Sequence, residues 1–191
     1  DTTASLVQLS LTFSMVGLAV GQLVIGPLSD KYGRKKTLMA SLVLFCISTI
    51  GCLYASDIYV FIFFRLLQGL SGAGGVVISK SIATDLYEGR ELTRFFSMLS
   101  SVQGIAPVCA PVLGGVLLEV TDWKGIFWIL VLIGILLIMA LAFFKESLNN
   151  EQQHCGVFAT FRNYIPVFQN AQFMRYVLVQ AFAMGVMFTY I

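Results

Sequence analysis

Long stretches of this chain carry almost no charge, and that limits what it can fold into more than any other property. Apolar runs cover roughly residues 8–28, 37–55, 58–79, 95–118 and 125–144, and a sixth begins near 173 and is still apolar at Ile191. Crossing a bilayer takes about 20 residues of helix, so each of the five completed runs is long enough or nearly so. Hydrocarbon offers a backbone N–H or C=O no water, which leaves helices and closed barrels as spanning forms; runs this long without alternation read as helices. The predicted fold class is therefore all-α, a polytopic bundle of transmembrane helices in a lipid bilayer. Composition agrees: 58% of residues are hydrophobic and 12% charged, against about a quarter charged in a soluble domain, and mean hydropathy is +0.85. Asp1 leads the first run, with no basic start before it and no cleavage pattern after it, so that run does not read as a signal peptide.

Basic residues orient the runs. Lys31, Arg34, Lys35 and Lys36 share the first loop, Lys80, Arg90 and Arg94 lie in or beside the third, and Lys145, Arg162 and Arg175 follow the fifth run. Against these ten, the opposite side has Lys124, while Arg65 falls inside the membrane. Basic residues collect on the cytoplasmic side, which makes the first loop cytoplasmic. A net charge of +2 is too small to point to nucleic acid. Cys46, Cys52, Cys109 and Cys155 have neither C-x-x-C nor metal-ligand spacing and read as packing thiols. His154 lies in a polar loop without a second ligand nearby, so no metal site and no nucleophile–base pair is expected. No phosphate-binding G-x-x-x-x-G-K-[ST] loop is present, which leaves nucleotide-driven transport unsupported.

The first loop, Gly26-Pro27-Leu28-Ser29-Asp30-Lys31-Tyr32-Gly33-Arg34-Lys35-Lys36, is dense in charge between two apolar runs. Gly26, Pro27 and Gly33 permit a tight reversal, and Asp30 and Arg34, four apart, pair if the turn is helical. On residues alone this is a topology-setting basic loop. Its pattern, carried by Gly26, Leu28, Asp30, Gly33, Arg34 and Lys35, resembles the G-x-L-x-D-x-x-G-R-K signature of the major facilitator superfamily. That resemblance implies a latch in which Asp30, Arg34 and Asp85, the last placed just past the inner end of the third run, close the cytoplasmic gate. The alternative is three solvated charges that contribute little.

Arg65 stands some seven residues inside the third run, with Gln68, Gly69 and Gly72 on the same helical face. At that depth an arginine costs several kcal/mol unless paired or wetted. Two readings stay open: a cation that snorkels outward or caps a neighbouring helix, or a cavity residue that binds anionic groups or senses an acid's protonation. Arg65 to Gly69 resembles the superfamily's fourth-helix R-x-x-Q-G motif, which is linked to proton coupling. Ser71, Gly75, Ser79 and Ala83 repeat at four-residue intervals, and Gly17 and Gly21 read likewise as close-packing positions.

In the fourth run, Gln103, Gly104, Pro107, Ala110, Pro111, Gly114 and Gly115 mark a helix bent by two prolines, with Ala106, Ala110 and Gly114 leaving room on one face. A kinked packing helix is one reading. The other is a resemblance to the fifth-helix motif of proton-driven drug exporters, with Ala110-Pro111-Val112-Leu113-Gly114-Gly115 nearest to the bicyclomycin-resistance (Bcr/CflA) branch.

The resemblance implies an internal piece of a longer transporter. The five runs match the second to sixth of about twelve helices, and the last run begins the seventh. Residues 1–145 are then the N-terminal half without its first helix, 146–172 a cytoplasmic inter-half linker with a surface helix near 156–169, and 173–191 the start of the second half. The function implied is proton-coupled export of drugs or other small amphipathic compounds across a bacterial cytoplasmic membrane. Alternating access would drive it through a midplane cavity that includes Arg65, Gln68 and Gln103. The expected partners are lipid, a small-molecule substrate and protons; the proton gradient drives the cycle without a cofactor, and the full-length protein is expected to be monomeric. A metabolite transporter of the same superfamily is the alternative, with a membrane enzyme or scaffold a distant third. No Asp or Glu lies in the first five runs to titrate.

Overall fold

The computed structural model describes residues 4–143, 166 and 169–190. Regular structure among them is helical: α1 (Ala4–Tyr32), α2 (Arg34–Tyr54), α3 (Ile58–Leu86), α4 (Gly89–Val120), α5 (Trp123–Ala142) and α6 (Ala171–Tyr190). The first five are each long and apolar enough to cross a membrane. Two units divide the chain, Asp1–Gln153 with α1 to α5 and His154–Ile191 with α6. In the second unit Asn170 Oδ1 accepts the backbone N–H groups of Gln172 and Phe173 at 3.1 and 3.2 Å. This is an N-cap that starts α6 two residues before the apolar run. The expected linker lies largely outside the described residues, as do His154, Cys155 and most of the stretch 156–169.

The helices outrun the apolar stretches at one end of the first unit. α1 continues to Tyr32, α2 begins at Arg34, α3 continues to Leu86 and α4 begins at Gly89. Hydropathy reports where lipid ends, whereas the i→i−4 ladder is satisfied internally and continues into the polar zone. Two expectations are corrected by the helix bounds. Gly26 and Pro27 belong to α1, not to a reversal, and the supposed loop shrinks to Gly33 alone. Asp85 lies within α3, not beyond it.

Gly33 does the whole turn. Its N–H donates to Ser29 O at 3.1 Å, completing α1, and its carbonyl accepts from Thr37 N at 3.3 Å, opening α2. Its φ of 94° and ψ of 151° fall in a region open to glycine and closed to L side chains.

Packing in the first unit rests on glycine. A Cβ on Gly17 or Gly21 of α1 would strike the carbonyl oxygens of Leu66 and Leu70, and one on Gly69 of α3 would strike that of Ser14. Gly74 meets Ser41 and Gly51 meets Phe64 between α2 and α3, and Gly134 of α5 meets Cys46 of α2. Lipid tails are as apolar as leucine, so helices gain by fitting their backbones together rather than by hiding from solvent. The stripe Ser71, Gly75, Ser79, Ala83 is divided: Ser71 and Ala83 are buried, while a Cβ on Gly75 would meet open space. At the end opposite Gly33, Phe61, Trp123 and Phe127 stack edge-on with centroids 5.9–6.4 Å apart, joining α3 to α5.

α4 stands apart, with no buried residue. Pro107 and Pro111 lie inside it, and Gly104, Gly114 and Gly115 have nothing within reach of an added Cβ among the described residues.

Glycine packing separates two substitutions. Gly17→Ala forces α1 away from α3 and is expected to lower stability by about 1–3 kcal/mol. Gly75→Ala, which enters open space within a helix, is expected to be neutral or slightly stabilising. Thermal unfolding of the full-length protein in detergent checks both; equal losses would remove the packing argument.

Candidate functional site: two arginine centres

Arg34 opens α2 immediately after Gly33, where it points between the ends of α1 and α3. It is buried, at 7% exposure, and its partners come from two other helical segments. Nε donates to Asp85 Oδ2 at 3.0 Å and Nη2 to Asp85 Oδ1 at 3.5 Å, a forked contact with α3. Nη1 donates to Asp30 Oδ1 and, at 2.6 Å, to Ser29 Oγ, both on α1. Ser29 is fully buried and passes its own hydrogen to Gly26 O at 2.8 Å. One guanidinium thus ties the ends of three helices, with charge-assisted bonds in a planar geometry that lysine could not reproduce. Beside it, Lys35 Nζ donates to Ala142 O at 3.0 Å. A cation on the last carbonyl of α5 also suits the negative end of that helix.

The second centre lies deeper, on α3. Arg65 Nη1 donates to Gln68 Oε1 at 2.6 Å, Gln68 Nε2 donates to Thr49 Oγ1 of α2 at 2.9 Å, and Thr49 Oγ1 donates to Phe45 O at 2.6 Å. Among the described residues Arg65 forms no ion pair. It faces a cavity of about 260 Å³ lined by Ser14, Met15, Phe45, Gln68, Gly72 and Leu130 among others, drawn from α1, α2, α3 and α5. A volume just below the usual 300–1,000 Å³ of small-molecule sites suits one compact group or part of a larger ligand.

The sequence-derived candidates therefore fall into separate groups. Asp30, Arg34 and Asp85 meet; Gly26 and Leu28 lie in the helical turn behind them, and Lys35 reaches α5 instead. Arg65 and Gln68 meet, and Gly69 sits where α3 touches α1. Gln103 is exposed on α4 and does not line this cavity. Gly104, Pro107, Ala110, Pro111, Gly114 and Gly115 lie along the same open helix. Two participants went unnamed in the sequence. Ser29 stood inside the signature, and its serine hydroxyl next to Asp30 was the available hint. Thr49 is one of several hydroxyls in an apolar run, and only the register of α2 against α3 singles it out.

Because Arg34 is nearly buried, removing one of its carboxylates leaves charge uncompensated. Asp85→Asn is expected to cost about 1.5–3 kcal/mol, the range for hydrogen bonds to charged groups. In an Arg34→Met background the same substitution is expected to cost far less, a coupling that a double-mutant cycle from thermal unfolding measures. Additive losses would mean that the contact carries no energy of its own.

Comparison with known proteins gives the family. The family model described as Major Facilitator Superfamily matches residues 1–191. The MFS-type transporter YdgK of Bacillus subtilis is 38% identical over 99% of this chain and 48% of its own length. A bicyclomycin resistance protein homolog of Haemophilus influenzae is 29% identical over 100% of this chain and 48% of its own. The multidrug resistance protein MdtL of Escherichia coli is 33% identical over 77% and 38%. In three dimensions the chain overlays the human organic anion transporter MFSD10 with a TM-score of 0.65 at 19% identity, over 78% of this chain and 34% of that one. The chain thus spans about half the length of the curated relatives it matches. With five membrane-crossing helices, glycine-packed interfaces and a family match along its whole length, this multi-pass membrane protein belongs to the Major Facilitator Superfamily.

Proposed function

We propose that this chain is part of a secondary transporter that exports drugs or other small amphipathic compounds across a bacterial cytoplasmic membrane in exchange for protons. The observation that carries the reading is Arg65: a cation held inside the helix packing, facing a cavity, with a neutral amide as its hydrogen-bond partner. Placing such a charge away from water is expensive, and intramembrane cations of this kind mark substrate or proton pathways. Similarity to proteins named for bicyclomycin and multidrug resistance supports drugs as the substrate class.

In this reading the two centres divide the work. The cluster of Asp30, Arg34 and Asp85 latches α1, α2 and α3 at their cytoplasmic ends and stabilises one access state; opening must break or share those bonds. Arg65 responds to an acid elsewhere in the full-length protein. While that acid is ionised the two attract, and protonation releases the attraction and shifts the population between access states. Lys35, by holding the end of α5 to the start of α2, makes those helices move together. α4, with its two prolines and its open glycine face, supplies a surface against which another helix of the whole transporter slides.

The full-length protein in inside-out vesicles under an imposed proton gradient tests this. Gradient-dependent accumulation of a fluorescent lipophilic drug is expected for the wild type, with Arg65→Ala and Asp30→Asn each lowering it at least about tenfold, equivalent to 1.4 kcal/mol. Absence of any drug movement by a folded wild-type protein would overturn the export reading.

A further inference from the structure

Thr49 is fully buried on α2, one helical turn from Phe45 and one from Cys52, and it does not itself line the cavity. We infer that Thr49 is a positioning residue for Arg65, acting through Gln68; this rests on Arg65 being the cavity cation of the proposed transport cycle.

The argument is one of donors and acceptors. Arginine has five N–H donors and no acceptor, so the group facing it must be the amide oxygen of Gln68. That fixes the amide the other way round at its far end, where Nε2 donates to Thr49 Oγ1. The threonine oxygen is thereby an acceptor, and its own hydrogen goes to Phe45 O. Every proton along this path has one place, and the direction runs from the guanidinium to a backbone carbonyl of α2. If the amide were to flip, an NH2 would face the guanidinium and a carbonyl would face Thr49, losing the Arg65 contact. With Gln68 at 4% exposure and Thr49 at 0%, no water replaces Thr49 at the far end of the amide.

The chemistry of the middle member adds a second point. An amide holds a guanidinium in place without neutralising it, whereas a glutamate at position 68 would form an internal ion pair. The relay therefore fixes where the charge of Arg65 stands and adds no counter-charge to it; among the described residues it has no ion pair, so that an anionic group arriving in the cavity meets a preset cation. Thr49 supplies the rigidity and Gln68 the electrical neutrality.

The test uses drug transport by the full-length protein in inside-out vesicles, read as turnover and apparent affinity against the imposed proton gradient, alongside thermal unfolding. Thr49→Ser keeps the hydroxyl and is expected to transport like the wild type. Thr49→Val keeps the shape, loses the hydroxyl, and is expected to lower turnover about tenfold and to reduce stability, because Gln68 Nε2 is left buried and unpartnered. Adding Gln68→Met to Thr49→Val removes both partners, and is expected to recover stability but not turnover. Recovery of turnover along with stability would show a merely structural role and overturn the inference, as would normal turnover in Thr49→Val. Loss of transport in Arg65→Ala with normal transport in Thr49→Val sinks the positioning role alone. Normal transport in Arg65→Ala sinks the reading beneath it. As a separate check, Gln68→Glu, which gives Arg65 an internal counter-charge, is expected to lose its response to the proton gradient; an unchanged response would count against the neutral-amide argument.

Discussion

The backbone contact between α1 and α3 is what the other features of the first unit depend on. Gly17 and Gly21 on one helix and Gly69 on the other bring carbonyl oxygens to where a side chain would otherwise stand. In lipid this closeness is itself the source of stability, since van der Waals fit replaces hydrophobic exclusion. It also fixes positions further along both helices. Asp30 near the end of α1 and Asp85 near the end of α3 come within reach of one guanidinium because the axes have been brought together beforehand. The same contact places Ser14 and Met15 opposite Arg65 and Gly72, which makes the cavity a product of helix fit rather than of a loop.

The two arginines show how one side chain is used for opposite ends. Arg34 meets two carboxylates and a serine, so its charge is compensated and its geometry is fixed from three sides. Such a centre holds helices together, and losing one of its partners costs more where little water reaches the charge left behind. Arg65 is held by an amide whose own position is set from α2. Among the described residues no carboxylate meets its charge.

Much of this could be read from residues. The five spans followed from run length, and the charge pair of Asp30 and Arg34 from their spacing. What the sequence concealed has physical causes. Hydropathy marks the edge of lipid, so it hid the extra helical turns that carry Ser29 and Asp30 on α1 and Asp85 on α3. Glycine at 26 and proline at 27 carry turn propensity, but proline is tolerated where neighbouring helices support the backbone, as membrane helices allow. Helix register across an interface is set by pairwise fit, which a single sequence does not display; for that reason Thr49 was one hydroxyl among several, and Gly69 could be assigned to a motif but not to its contact with Ser14. Gln103 shows the limit from the other direction. Its residue type suited a cavity, yet α4 does not turn it toward Arg65.

One consequence of the single-residue link at Gly33 concerns chain length. Each residue advances a helix by about 100° around its axis. An extra residue between Tyr32 and Arg34 would leave both helices intact as helices but rotate the whole of α2 relative to α1. Arg34 would leave Asp30 and Asp85, Thr49 would turn away from Gln68, and Lys35 would lose the end of α5, all at once. Substitutions elsewhere damage one of these contacts at a time. At this junction the phase of the helix is a shared coordinate, so a length change that most loops absorb without loss would here disconnect both arginine centres together.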